Sequence, residues 1–300
     1  MREPLLRAVT FLASNLLVLM ALALGLSMDW RRSLVEFRRP VFWRGVVLAL
    51  LVVPAWTIAI VKVLPLHPVV AGALLLMAFS PGVLLLVRVV RGQRGNVPLA
   101  MALSLTLTLA ALLLLPLALR GLNALFPLTF RVPSAALFTA ILPGVLLPLA
   151  LGSALRWWRP GLARWLRPGA DLLAKVALIA SALVLLGLGV PRLRAVDGWA
   201  LLAVFLMVCG GAFIGHMAGG PALEDRRTLA IAGAVGNPAI AMFVASVSYP
   251  EMNLLPIMAA FVLLRTLALL PYKRWSRHLE IRTTPRPPGP LLRSGPRLPV

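Results

Sequence analysis

Arg265 stands near the middle of the last long apolar run, eight residues before Lys273. At 1.5 Å per residue of helix, that is roughly 12 Å from the basic end of the run. A charge at such depth costs about 2.5–3.5 kcal/mol on insertion scales, so these residues usually face a cavity and mark a pathway. The guanidinium fork suits a carboxylate or a sulfonate, which makes a small organic anion its natural partner. The competing reading is an arginine that snorkels to the interface or pairs with backbone carbonyls.

Two other apolar runs contain helix-breaking sequence. One holds Phe79-Ser80-Pro81-Gly82. The other holds Gly236-Asn237-Pro238, after Ala232-Gly233-Ala234. Proline removes a backbone N–H and clashes with the preceding turn. Unpaired backbone at membrane depth is tolerated only against protein or a water-filled cavity. A pair of interrupted helices is therefore a pointer to a transporter binding site. Ser80, Pro81, Gly82, Gly236 and Pro238 are the break residues, and Asn237 sits in the second break as a candidate substrate contact. Two structural kinks would leave the same signature.

Ser104 and Thr108 lie one turn apart on one helix face. They either line a cavity or bond their own i−4 carbonyls. Asn15 in the first run is a substrate contact or an interhelical hydrogen bond. Asp171 and Lys175, four apart, form an i, i+4 pair or a proton relay. Lys62 sits at the end of its run and snorkels. Most tryptophans mark span ends, as in aromatic belts; Trp56 lies deeper.

No nucleophile–base pair or carboxylate dyad lies in the apolar runs, and the chain holds only nine acidic residues, so an enzyme is not expected. One cysteine, Cys209, excludes an intramolecular disulfide. The three histidines are far apart in sequence, which leaves no metal or other cofactor site to expect.

These residues must be held by an apolar scaffold. Of the 300 residues, 60% are hydrophobic and 13% charged, and the mean hydropathy is +0.93. Soluble domains carry about 45–50% apolar and about 25% charged residues. An all-α integral membrane protein is expected, with lipid as the solvent for most of the chain. A crossing needs about 20 apolar residues. The candidate spans are 5–28, 42–63, 68–88, 97–120, 133–155, 169–190, 198–218, 226–248 and 252–272, about nine helices in all. The first run is long for a signal peptide and lacks a cleavage site, so it reads as a span.

The net charge of +21 suggests nucleic acid only if the arginines share a face. Here they sit between the runs, so no nucleic-acid partner is expected. Arg31, Arg32, Arg38, Arg39, Arg91, Arg94, Arg156, Arg159, Arg164, Arg167, Arg226 and Arg227 fall in the odd-numbered loops. The positive-inside rule then puts those loops in the cytoplasm, with the N-terminus outside and the C-terminus inside a bacterial-type inner (plasma) membrane. The organisation expected is a transmembrane domain over 1–278 and a disordered, basic, proline-rich cytoplasmic tail over 279–300. That tail either attracts anionic headgroups or is merely solvated.

The segment from Leu74 through Leu109 resembles the fourth-helix pattern of the bile acid:sodium symporter family. It has a small residue, Pro81-Gly82, and then Gly95-Asn96-Val97 fourteen residues beyond the proline. Arg227-Thr228-Leu229 and the Asn237 after the second break resemble the family's ninth helix, and the stretch from Ala23 through Pro40 more weakly resembles the end of its second helix. The resemblance implies two inverted repeats, each with one broken helix, the breaks crossing at mid-membrane. It also implies a panel domain moving against a core domain. Family members often have ten helices. Only 28 residues precede the first loop, so the resemblance implies that the first helix is missing and the N-terminus lies outside.

The departures fall at the family's sodium ligands. Its Ser-Asn pair after the proline corresponds to Leu86 and Val87, and its Ser and Thr on the next helix to Ala100 and Ser104. Its Glu and Gln at the second break correspond to Ala232 and Gly236, and a Gln on the preceding helix to Ala49. Sodium is a hard cation that wants oxygen ligands, and of these positions only Ser104 keeps a side-chain oxygen. The expectation is a secondary transporter of a small organic anion, bile-acid-like or a carboxylate or sulfonate, without sodium coupling. A symporter with backbone ligands and a non-transporting receptor or scaffold on the same fold are the alternatives.

Overall fold

The computed structural model describes residues 18–80, 83–126, 142–191, 196–234, 236 and 255–283. Their regular structure is helical. The helices are α1 (Val18–Ser27), α2 (Trp30–Glu36), α3 (Pro40–Val63), α4 (Pro68–Ala78), α5 (Val83–Gly92) and α6 (Val97–Leu125). After a π-helical turn at Leu142–Leu146 come α7 (Leu147–Trp158), α8 (Pro160–Gly189), α9 (Gly198–Ala218), α10 (Leu223–Ala234) and α11 (Leu255–Thr283).

The sequence starts several of these helices in ordinary ways. Pro40, Pro68 and Pro160 each open one, where the missing N–H costs nothing. Asn96 caps α6 by accepting from the Leu99 N–H at 3.0 Å. Asp197 caps α9 by accepting from the Trp199 N–H at 3.3 Å. Pro116 withdraws a hydrogen bond from the turn before it, and α6 bends there by 58° between Val97–Ala111 and Leu114–Ala124.

Four described helices are long and apolar enough to cross a membrane: Pro40–Val63, Pro160–Gly187, Gly198–Ala218 and Pro256–Leu279. Counting bent α6 makes five. The expected span 68–88 is instead two pieces, α4 and α5, parted at the predicted break. The spans 5–28, 133–155 and 226–248 fall partly outside the described residues. The described residues therefore do not establish nine crossings. Two boundaries also differ. Helix α8 begins at Pro160 rather than 169 and runs through Pro168, so Arg164 and Arg167 are helical rather than in a loop. Helix α11 continues through residues 279–283, which the sequence alone assigns to the tail.

Glycine seams bring the core helices together. Gly211, Gly215 and Gly219 recur every four residues on one face of α9. A Cβ on Gly211 would overlap the Gly233 carbonyl, one on Gly215 the Leu229 carbonyl, and one on Gly219 the Arg226 backbone. Helices α9 and α10 thus meet backbone to backbone, the close approach that small residues allow in a bilayer. Gly25 and Gly152 form a second seam between α1 and α7. Gly210 lies under the indole of Trp56, whose Nε1 donates to the Leu206 carbonyl at 3.0 Å. Adding one methyl tests the main seam. Gly215→Ala must push two backbones apart, at a cost of about 1–3 kcal/mol, and is expected to lower the melting temperature in detergent by about 5 °C. Gly121→Ala, whose Cβ meets open space, is expected to leave it unchanged or higher.

Candidate transport site

The two interrupted runs end against each other. Helix α4 stops at Ala78, and Ser80 behind it is fully buried, its N–H donating to the Met77 carbonyl at 3.3 Å. Helix α10 stops at Ala234. A Cβ on Gly236 would lie 3.0 Å from the Met77 carbonyl oxygen and 3.3 Å from the Phe261 ring. Only a residue without a side chain lets the second break come this close to the first. Pro81, Gly82, Asn237 and Pro238 belong to the same breaks but lie outside the described residues, as does Asn15.

A cavity of ≈ 10 Å³ sits between the two ends, lined by Ala49, Val53, Met77, Ala78, Ala232 and Gly236 among others. That is about the smallest space that holds one water. Three of its lining residues, Ala49, Ala232 and Gly236, are positions where the resemblance described above implies sodium ligands in the family. The other such positions, Leu86, Val87 and Ala100, are buried in the same hydrophobic cluster as Ala49 and Ala232. Ser104 is fully buried, and its carbonyl accepts the Thr108 hydroxyl at 2.8 Å. Thr108 thus bonds its own i−4 carbonyl, the structural alternative of the two that its spacing allowed.

Arg265 is half-buried on α11, one turn beyond Phe261, with its guanidinium carbon 5.8 Å from that ring's centre. Phe261 in turn faces Gly236, so the arginine lies about one turn from the crossing. Its Nη1 is buried and has no hydrogen-bond partner among the described residues. The hydroxyl of Ser80 is buried in the same condition. Buried donors without partners are rare and call for an explanation, such as a strained site or an absent ligand.

A polar cluster that sequence reading did not assemble ties the helix ends at the basic side. Asn96 donates from Nδ2 to Asp225 at 2.8 Å and from its backbone N–H to the Thr228 hydroxyl at 2.8 Å. Arg39 pairs with Glu36 at 2.8 Å and also with Asp225. Burial opposes the charge on Arg39, but hydrogen bonds from it to Glu36 and Asp225 hold the guanidinium above its ordinary value. Asp225, Arg227 and Thr228 are all buried. Arg227 reaches across to α11, donating to the Ser276 carbonyl at 2.6 Å. Gly95 has no room for a side chain, since a Cβ would lie 2.8 Å from the Thr228 hydroxyl. The motifs Gly95-Asn96-Val97 and Arg227-Thr228-Leu229 are thus two halves of one contact. Their separate resemblance was the signal; the pairing was not visible.

One expected pair is corrected. Asp171 reaches Arg167 at 3.6 Å and Arg88 of α5 at 3.9 Å, rather than Lys175. Arg88 also donates to the Asp171 carbonyl at 3.4 Å, so Asp171 joins a partner on its own helix and one on α5.

The pattern of the Sodium Bile acid symporter family matches residues 15–194. The chain belongs to the sodium bile acid symporter family. It is accordingly a multi-pass membrane protein of a transporter family, not of an enzyme family. No curated protein matches it. The family match covers α1 through α8, with the first break and Asn96; the second break and Arg265 lie beyond it.

The polar cluster makes its own prediction. Asp225→Asn leaves Arg39 with one carboxylate fewer and a single acceptor oxygen to serve either Asn96 or Arg39, with an NH2 facing the other donor, at an expected cost of about 2 kcal/mol because Arg39 is partly solvated. In a double-mutant cycle with Arg39→Gln, the two changes should be less than additive by at least about 0.5 kcal/mol. Additive losses in thermal unfolding would mean the two side chains do not act together.

Proposed function

We propose that this member of the sodium bile acid symporter family is a secondary transporter of a small organic anion, that Arg265 is the charge partner of that anion, and that transport runs without sodium. The observation that carries the reading is the buried, unbonded Nη1 of Arg265 one turn from the meeting point of the broken helices. An anion entering there regains the hydrogen bonds and the charge partner that the arginine lacks. A carboxylate or sulfonate fits best, because it meets the guanidinium with two parallel bonds. Asn237, Ser104, Thr108 and Asn15 are the further polar residues proposed for the substrate path, with Asn237 next to Gly236 as the nearest in sequence to the crossing.

The loss of sodium coupling is supported by what occupies the family's ligand positions. Leu86, Val87, Ala100, Ala49 and Ala232 are packed together as hydrocarbon. Sodium in such a pocket would be stripped of water with almost no oxygen to replace it. Alternating access would then move a panel of helices against the seam-locked pair α9–α10. The proposed orientation, with the basic loops cytoplasmic and the N-terminus outside, rests on the arginine asymmetry. So does a cytoplasmic location for a basic tail after the last helix.

Two measurements test this reading. Arg265→Gln should weaken binding of a cognate organic anion by about 10- to 100-fold, the worth of one or two hydrogen bonds to a charged group. Arg265→Lys should retain part of that affinity, as a point charge without the fork. Unchanged affinity in Arg265→Gln would remove the arginine from the site. In proteoliposomes, uptake should be the same under inward sodium and potassium gradients. A steep rise with sodium alone would restore coupling through backbone ligands.

A further inference from the structure

A second cavity has none of the lining residues of the one at the crossing. It is a groove of ≈ 650 Å³ between the first half of α3 and the end of α9. Its floor is hydrocarbon: Val47, Leu48 and Val52 from α3, with Ile214 and Ala218 from α9. Its mouth carries Arg38, Trp43 and Arg44. No acidic residue lines it.

The two arginines at the mouth differ from their neighbours. Arg39 next door turns inward to Glu36 and Asp225, and Arg32 pairs with Asp29 at 3.4 Å. Arg38 and Arg44 make no ion pair among the described residues. Glu36 and Asp225, which pair with the neighbouring Arg39, are both buried. The Arg44 guanidinium extends toward Gly220, where a Cβ would lie 3.5 Å from its Nη1. Trp43 is exposed, and its Nε1 donates to the Phe37 carbonyl at 3.1 Å, which fixes the ring at the rim.

Basic and indole groups above an apolar trough match one class of ligand. We propose that this groove is a binding site for an anionic phospholipid, with the phosphate between Arg38 and Arg44, the glycerol region against Trp43, and an acyl chain along the trough. From Arg44 to Val52 the helix rises roughly 12 Å, enough to line the upper part of one acyl chain. Charge complementarity selects the lipid class, because a zwitterionic lipid brings no net charge to two cations without a counter-ion. An arginine pair also suits phosphate geometry, and basic residues at a membrane surface draw anionic lipid. The site is separate from the crossing and stands whether or not Arg265 binds substrate.

The test uses the full-length protein in detergent, titrated with phosphatidylglycerol or phosphatidylcholine and read by native mass spectrometry. Phosphatidylglycerol should bind more tightly, and R38Q/R44Q should weaken it by roughly 20- to 30-fold, about fivefold per arginine. R31Q/R274Q, which removes two exposed charges elsewhere, should bind like the wild type. Val47→Trp, filling the trough, should also lower phosphatidylglycerol binding while the melting temperature holds. Equal affinity for the two lipids would overturn the proposal. So would an equal loss in R31Q/R274Q, or full displacement by the soluble headgroup glycerophosphoglycerol at matched concentration, which would show that no acyl chain is held.

Discussion

A helix that stops inside a bilayer leaves its last carbonyls without donors, and lipid offers none. Helix α4 stops at Ala78, α10 is described as far as Ala234, and much of the described architecture follows from how these ends are sheltered. They are brought against each other, with Gly236 beside the Met77 carbonyl and the Phe261 ring closing one side. Such contact needs backbones at short range, which is why α10 lies on α9 through Gly211, Gly215, Gly219 and Gly233. The glycines are thus a consequence of the breaks. They let protein take the place of the water that an interrupted helix would otherwise require.

The polar cluster at the basic side solves the complementary problem. Helix α10 is short, and its inner end contributes little hydrocarbon anchorage. It is fixed by Asp225 to Arg39 and Asn96, by Thr228 to the Asn96 N–H, and by Arg227 to the Ser276 carbonyl. Three separate stretches of chain, at residues 36–39, 94–96 and 225–228, meet there through side chains with matched donors and acceptors. Removing one partner strands the others, so the cluster acts as a unit. Broken-helix tips meet at one end of α10 and buried ion pairs hold the other.

How much of this was readable from sequence depends on the range of the interaction. Composition alone led to a membrane protein, because 60% hydrophobic residues cannot be coated by 13% charged ones. The parting of α4 from α5 near Ser80 was readable because proline and glycine act on their own turns. Thr108 bonding the Ser104 carbonyl was one of two local outcomes that spacing allowed. The contact of Asn96 with Asp225 spans 129 residues, and no local rule pairs them. Asp171 shows the same limit in reverse. Spacing of four suggested Lys175, yet Asp171 turns to Arg167, four residues the other way, and to Arg88 on another helix. Helix boundaries at Pro160 and Thr283 were missed because a helix can run on past the hydrocarbon edge when nothing in its turns forbids it.

The distribution of charge carries the synthesis one step further. Among the described residues, Glu36, Asp171 and Asp225 are each held by at least one arginine. None lines the cavity at the crossing, whose walls are alanine, valine, methionine and glycine. A cation arriving there would meet no carboxylate and few oxygens. An anion would meet apolar walls, helix ends and, one turn away, a guanidinium with a donor to spare. On the proposed reading, hydrocarbon at the positions where the family resemblance puts carboxylate and amide ligands does more than remove a sodium site. It removes the negative charge that would offset Arg265, and leaves the positive field of that residue uncompensated by any described carboxylate. In a low-dielectric setting such a field acts over a longer range than it would in water. On the reading proposed above, the substrate itself becomes the counter-ion, and an empty carrier that must cross with a buried bare cation is disfavoured relative to a loaded one.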